Sequence, residues 1–125
     1  IGPETSGWFR EPVESLESLR GLKMRFFGLG AQVMQKLGVS TQLLAGADIY
    51  PALERGVIDA TEFSMPAMDI DLGFYQVAKY NYYPGWHQPV SIGELLMNKA
   101  AFEALPEPYQ AMLEAACGWN TCSRQ

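Results

Sequence analysis

Histidine is nearly absent from this chain and cysteine is scarce: His87 stands alone, and Cys117 and Cys122 lie close together near the end. A disulfide across so short a loop would brace little of a fold, so two idle thiols are the expected reading. No serine sits in a nucleophile elbow and neither cysteine has a base nearby in sequence, so nothing points to an enzyme. Basic residues are few, nine Lys and Arg against fourteen Asp and Glu, for a net charge of -5. With no basic stripe there is no electrostatic footprint for nucleic acid and no attraction to an anionic membrane surface. No apolar run is long enough to span a bilayer, so direct membrane insertion is not expected. The chain opens at Ile1 without an export signal, and its compartment is not legible from these residues alone.

What is present suits an ordinary globular domain. The 125 residues are 48% hydrophobic and 12% aromatic, which argues against disorder. The segment from Ile1 to Pro12, around Trp8 and Phe9, reads as an extended entry, and Ser15 to Leu19 as a short helical turn. From Leu22 to Phe27 the pattern alternates, with Leu22, Met24 and Phe26 on one face, and predicts a strand. Gly28 and Gly30 break it, and Ala31 to Leu37 has helical spacing. A second unit repeats the order: a strand over Val39 to Leu44, a helix capped by Asp48 with Pro51 in its first turn, and a strand over Ile58 to Ser64. Strand–helix alternation implies a three-layer α/β fold with a mainly parallel sheet flanked by helices. Further along, the spacing predicts a helix over Ala67 to Tyr80 and a strand over Val90 to Met97. Asn98 caps a short helix in this reading, and a last helix from Pro106 and Pro108 ends at Gly118. Residues 1–118 thus read as one lobe and 119–125 as a frayed tail.

In an open parallel sheet, ligands gather beyond the carboxyl ends of the strands. Arg25 and Glu62 both arrive there. A guanidinium fork suits a ligand carboxylate, but an internal Arg25–Glu62 ion pair is an equal alternative. Glu62, followed by Phe63, could also hold a cation, although one acid by itself more often makes a salt bridge. Gly28-Leu29-Gly30 lacks the third glycine of a dinucleotide fingerprint and reads as a tight strand-to-helix turn. His87 and the aromatics from Tyr82 to Trp86 either line a pocket or pack a core.

Several motifs in order carry a family resemblance: Gly2-Pro3-Glu4-Thr5-Ser6-Gly7-Trp8-Phe9, then Leu19-Arg20-Gly21-Leu22-Lys23-Met24-Arg25, then Gly56 through Pro66, and Tyr83-Pro84-Gly85-Trp86-His87. The chain resembles the solute-binding receptors of TRAP (tripartite ATP-independent periplasmic) transporters, in the branch that binds 2-oxo or 2-hydroxy acids with a metal ion. The resemblance implies one lobe of a periplasmic-binding-protein-like fold, the C-terminal half, with a membrane permease as eventual partner. It implies that Arg25 clamps the ligand carboxylate, and that Glu62, the Phe63 carbonyl and the Glu4 side chain hold sodium or calcium. Trp8, Phe63, Glu4 and His87 join Arg25 in the ligand wall, and no organic cofactor is implied.

A family receptor has two lobes, and this chain matches one. A truncated or free-standing lobe is therefore expected, with Arg25 facing water, weak binding by a monomer and a homo-oligomer covering the exposed face. An orphan scaffold that keeps the fold but has lost its ligand is the alternative. The resemblance implies a periplasmic location, and a cytoplasmic one stays open without an export signal.

Overall fold

The computed structural model describes residues 2–122, with side chains through Gly118. These sort into two compact units, Pro3–Pro89 and the stretch from Val90 onward together with Gly2, where the sequence suggested one lobe through residue 118.

The larger unit is built on a five-stranded sheet in the order β3-β2-β4-β1-β5, from β1 (Gly7–Phe9), β2 (Lys23–Arg25), β3 (Ser40–Gln42), β4 (Ala60–Thr61) and β5 (Tyr80–Tyr82). β2 pairs in parallel with both β3 and β4, through Met24↔Thr41 and Met24↔Ala60. β1 runs antiparallel to β4 and to β5, so four of the five strands share one direction. The sheet is mixed in its pairings and mainly parallel in its strand directions, as an α/β chain with crossover helices requires.

Helices cover both faces. Alternation along β1 sends Trp8 to one side and Phe9 to the other. Phe9 joins Met24, Phe26, Met34, Val39 and Ala60 beneath α1 (Gly28–Lys36). Trp8 joins Ile49, Leu53, Ile58, Phe74 and Ala78 beneath α2 (Gly46–Glu54), α3 (Pro66–Asp71) and α4 (Phe74–Val77). The period-two face of Leu22, Met24 and Phe26 therefore faces α1, as its pattern predicts. A 3-10 turn at Glu17–Leu19 buries Leu19 on the same side.

Several local expectations change, and α1 already begins at Gly28, where a break before Ala31 was expected. The stretch read as an entry segment holds β1, buried inside the sheet. The helix expected over 67–80 is split at Gly73, whose φ of 76° ends one helix and opens the next, and its last residue starts β5. Ala45, not Asp48, is the N-cap of α2, so Pro51 lies inside the helix, while Asp48 sits in the first turn where a carboxylate suits the dipole.

The remaining changes lie in the second unit. Residues 90–98 form no strand, and Ile92 and Leu96 are 80% and 86% exposed, because no strand pairs with them. Asn98 does cap α5 (Lys99–Glu103), its side chain accepting from Ala101 N. The last helix, α6 (Glu107–Cys122), begins as expected near Pro106 and runs through Gly118 rather than ending there. Cys117 is exposed, while the Cys122 side chain and residues 123–125 of the expected tail lie outside the described set.

Candidate functional site

The parallel pairing of β2 with β4 sets Arg25 opposite Thr61, so the next residue, Glu62, emerges beside Arg25 at the carboxyl end of the sheet. Glu62 N donates to Arg25 O at 3.0 Å. Arg25 is only 7% exposed, and its Nη1 donates to both the Glu62 carboxylate, at 3.0 Å, and the Glu62 backbone oxygen. Nε reaches Leu44 O at 3.4 Å, and the guanidinium lies 5.3 Å from the centre of the Phe63 ring. The ion pair anticipated as one alternative is therefore formed. Among the described contacts these bonds use Nη1 and Nε.

Glu62 is held on its other side as well. Phe27 N donates to Oε2 at 3.3 Å, while Oε1 faces His87 Nε2 at 3.7 Å. The same His87 nitrogen lies 3.6 Å from Glu4 Oε2, and Glu4 Oε1 accepts from Gln88 Nε2 at 2.9 Å. Donor atoms of Glu4, Glu62 and His87 all fall within 4.8 Å of one another. Burial pushes the Glu62 carboxyl up to about 7, against the opposing pull of Arg25. Burial likewise holds His87 below the usual histidine value, with Glu4 opposing, so the imidazole is neutral at pH 7.

The residues fit a hard cation. Two donors on opposite sides of a calcium-sized ion stand roughly 4.6–5.2 Å apart, which matches the spread here. Both ring nitrogens of His87 are buried without a hydrogen-bond partner, a cost that a further ligand or ion would relieve. His87 is wedged edge-on between Phe26 and Trp86, at ring-centre distances of 4.9 and 5.3 Å.

The structure brings Arg25, Glu62, Glu4, Phe63 and His87 together, as the sequence suggested. It does not bring Trp8. That side chain is buried in the core, and its indole N–H donates to Asp69 Oδ2 at 2.9 Å. Asp69, fully buried, also accepts from Thr5 Oγ1 at 3.3 Å, and sequence reasoning missed it. The side chains that bond it lie 61 and 64 residues away. The carboxylate ties the segment bearing Glu4 to the helix that follows Glu62.

The sequence matches the DctP family, bacterial extracellular solute-binding protein family 7, over residues 3–121. The chain belongs to this family. A monocarboxylate 2-oxoacid-binding periplasmic protein of Nostoc sp. is 45% identical over 115 residues, covering 92% of this chain and 32% of that relative. Among solved structures, a TRAP transporter solute-binding protein of Bordetella bronchiseptica, a dimer with copurified calcium and picolinate, shares 46% identity. It superposes with a TM-score of 0.75, over 94% of this chain and 35% of that one. A TRAP periplasmic solute-binding protein of Pseudoalteromonas atlantica, with bound sodium and pyruvate, shares 37% identity at a TM-score of 0.72, with the same coverage. This DctP-family chain thus spans about a third of the length of the proteins it matches. The family consists of solute-binding proteins rather than enzymes. No helix among the described residues is long and apolar enough to cross a membrane.

Proposed function

We propose that this chain supplies the anion-clamping part of a periplasmic receptor that captures small 2-oxo or 2-hydroxy monocarboxylates and passes them to a TRAP membrane permease. The observation that carries the reading is a buried guanidinium beside two converging carboxylates at the carboxyl ends of β2 and β4. Arg25 is held rigid by Glu62, Leu44 and the Phe63 ring, so its fork loses little freedom when a carboxylate docks. Glu62, Glu4 and the Phe63 carbonyl are the proposed holders of a sodium or calcium ion. When bound, that ion supplies positive charge to the oxygens of an oxo or hydroxy acid. His87 and Phe63 form the remaining wall, and Trp8 acts from behind it, through Asp69. The similarity to a 2-oxoacid-binding protein and to pyruvate- and picolinate-bound structures supports this ligand class.

Thermal melts of the chain with pyruvate, lactate and longer 2-oxo acids, with and without sodium or calcium, test the proposal. An acid present at a hundredfold over its dissociation constant adds about 2.7 kcal/mol of stability. Stabilisation by short acids that disappears in Arg25→Ala is expected. A flat response to every acid, or an equal one in Arg25→Ala, would sink the receptor reading and leave a scaffold closed by its own ion pair.

A further inference from the structure

The similar structures hold calcium in two cases and sodium in one, so family membership does not by itself select the ion. We infer that this site takes a divalent cation in preference to a monovalent one, and that Glu4 sets the preference. The inference rests on the reading of Arg25 and Glu62 as a carboxylate-and-cation site, and deepens it. Charge carries the first part of the argument. The Arg25 guanidinium offsets Glu62 at 3.0 Å, which leaves the Glu4 carboxylate uncompensated by any cationic side chain within the cluster. A captured monocarboxylate brings a second negative charge to the same small volume. A divalent ion neutralises both, whereas sodium leaves one buried and unpaired.

His87 provides an independent observation. Its side chain is only 10% exposed, and neither ring nitrogen has a hydrogen-bond partner. Nε2 faces Glu4 Oε2 at 3.6 Å and Glu62 Oε1 at 3.7 Å, both longer than hydrogen bonds. Three donor atoms thus converge without bonding one another, the arrangement of a preformed ion cradle. Calcium takes six to eight oxygen ligands, so the two carboxylates and the Phe63 carbonyl would begin its coordination, with the neutral His87 ring beside them. Glu4 itself is well anchored. Its N donates to Gln88 O at 3.1 Å, its carbonyl accepts from Gly85 N at 2.6 Å, and its Oε1 accepts from Gln88 Nε2. One carboxylate oxygen is pinned and the other is aimed at the cluster.

The test uses the full chain with terbium as the probe, with and without saturating pyruvate, because the Trp86 ring beside His87 is placed to sensitise terbium emission. The divalent preference should widen when the acid is present. Calcium and sodium are then compared as competitors at matched ionic strength. Calcium is expected to displace terbium at concentrations on the order of 100-fold lower than sodium. Glu4→Gln keeps the shape and removes the charge, and should cut that ratio by roughly tenfold or more. Glu4→Asp keeps the charge, and should retain a calcium preference even where overall affinity drops. Equal displacement by both ions, or an unchanged ratio in Glu4→Gln, overturns the inference. Acids that stabilise the chain without any divalent preference would leave the receptor reading intact and remove this one. Selective calcium binding through Glu4 with no response to acids would do the reverse.

Discussion

Asp69 is the residue whose environment makes the sharpest solution prediction. Burial raises its carboxyl above the ordinary 3.8, against the lowering effect of the bonds from Trp8 and Thr5. The folded chain therefore binds this proton more tightly than the unfolded chain does. Its contribution to stability is fully present below about pH 3.8 and is lost as pH rises through the raised folded value. Asp69→Asn keeps an oxygen for the Trp8 indole and cannot titrate. In urea denaturation series, the stability of the natural chain minus that of Asp69→Asn should fall as pH climbs from 3.8, with other carboxylates cancelling in the difference. A difference that is flat or rises with pH would contradict the assignment. Arg25 and Glu62 were legible as a pair because each lies late in a predicted parallel strand. Asp69 was not, because a buried carboxylate is recognisable only by the donors it finds.

Between elements, the decisive approach is that of the turn at Gly85 to the segment before β1. A Cβ at Gly85 would stand 2.6 Å from Glu4 O and 3.0 Å from its carbonyl carbon, backbone atoms that have no rotamer to yield. Gly85→Ala should therefore cost about 1–3 kcal/mol in chemical denaturation. It should also weaken terbium binding by moving Glu4. Gly93→Ala, whose Cβ would meet nothing within 4 Å, should do neither. The same contact explains which elements the sequence announced. β2, α1 and α2 carry their own periodicity, and β3 and β4 were legible as the strands that alternate with those helices. β1 and β5 lack such a pattern and owe their strand character to pairing, as in the bond from Asn81 Nδ2 to Gly7 O across 74 residues. Val90 to Met97 shows the converse, apolar β-formers with no strand beside them.

At the scale of the whole molecule, the division into two units sets where the chain is vulnerable. Residues 90–98 belong to no helix or strand, and several of their large apolar side chains are exposed. Limited proteolysis should cut there first and release a fragment ending near Pro89, which mass spectrometry would identify. First cuts inside β2, α2 or β4 would count against the division. Within the larger unit, Glu4 and Gln88 are bonded across 84 residues, nearly its two ends. An ion held by Glu4 and Glu62, with Glu4 tied to Gln88, would fasten the beginning, middle and end of that unit at one point. The β2–α1–β3 stretch can assemble through near neighbours, but this clasp waits until the longest loop has closed. Occupancy would then be written into the rate at which the unit comes apart rather than the rate at which it forms, making the bound ion a timer on the life of the folded state.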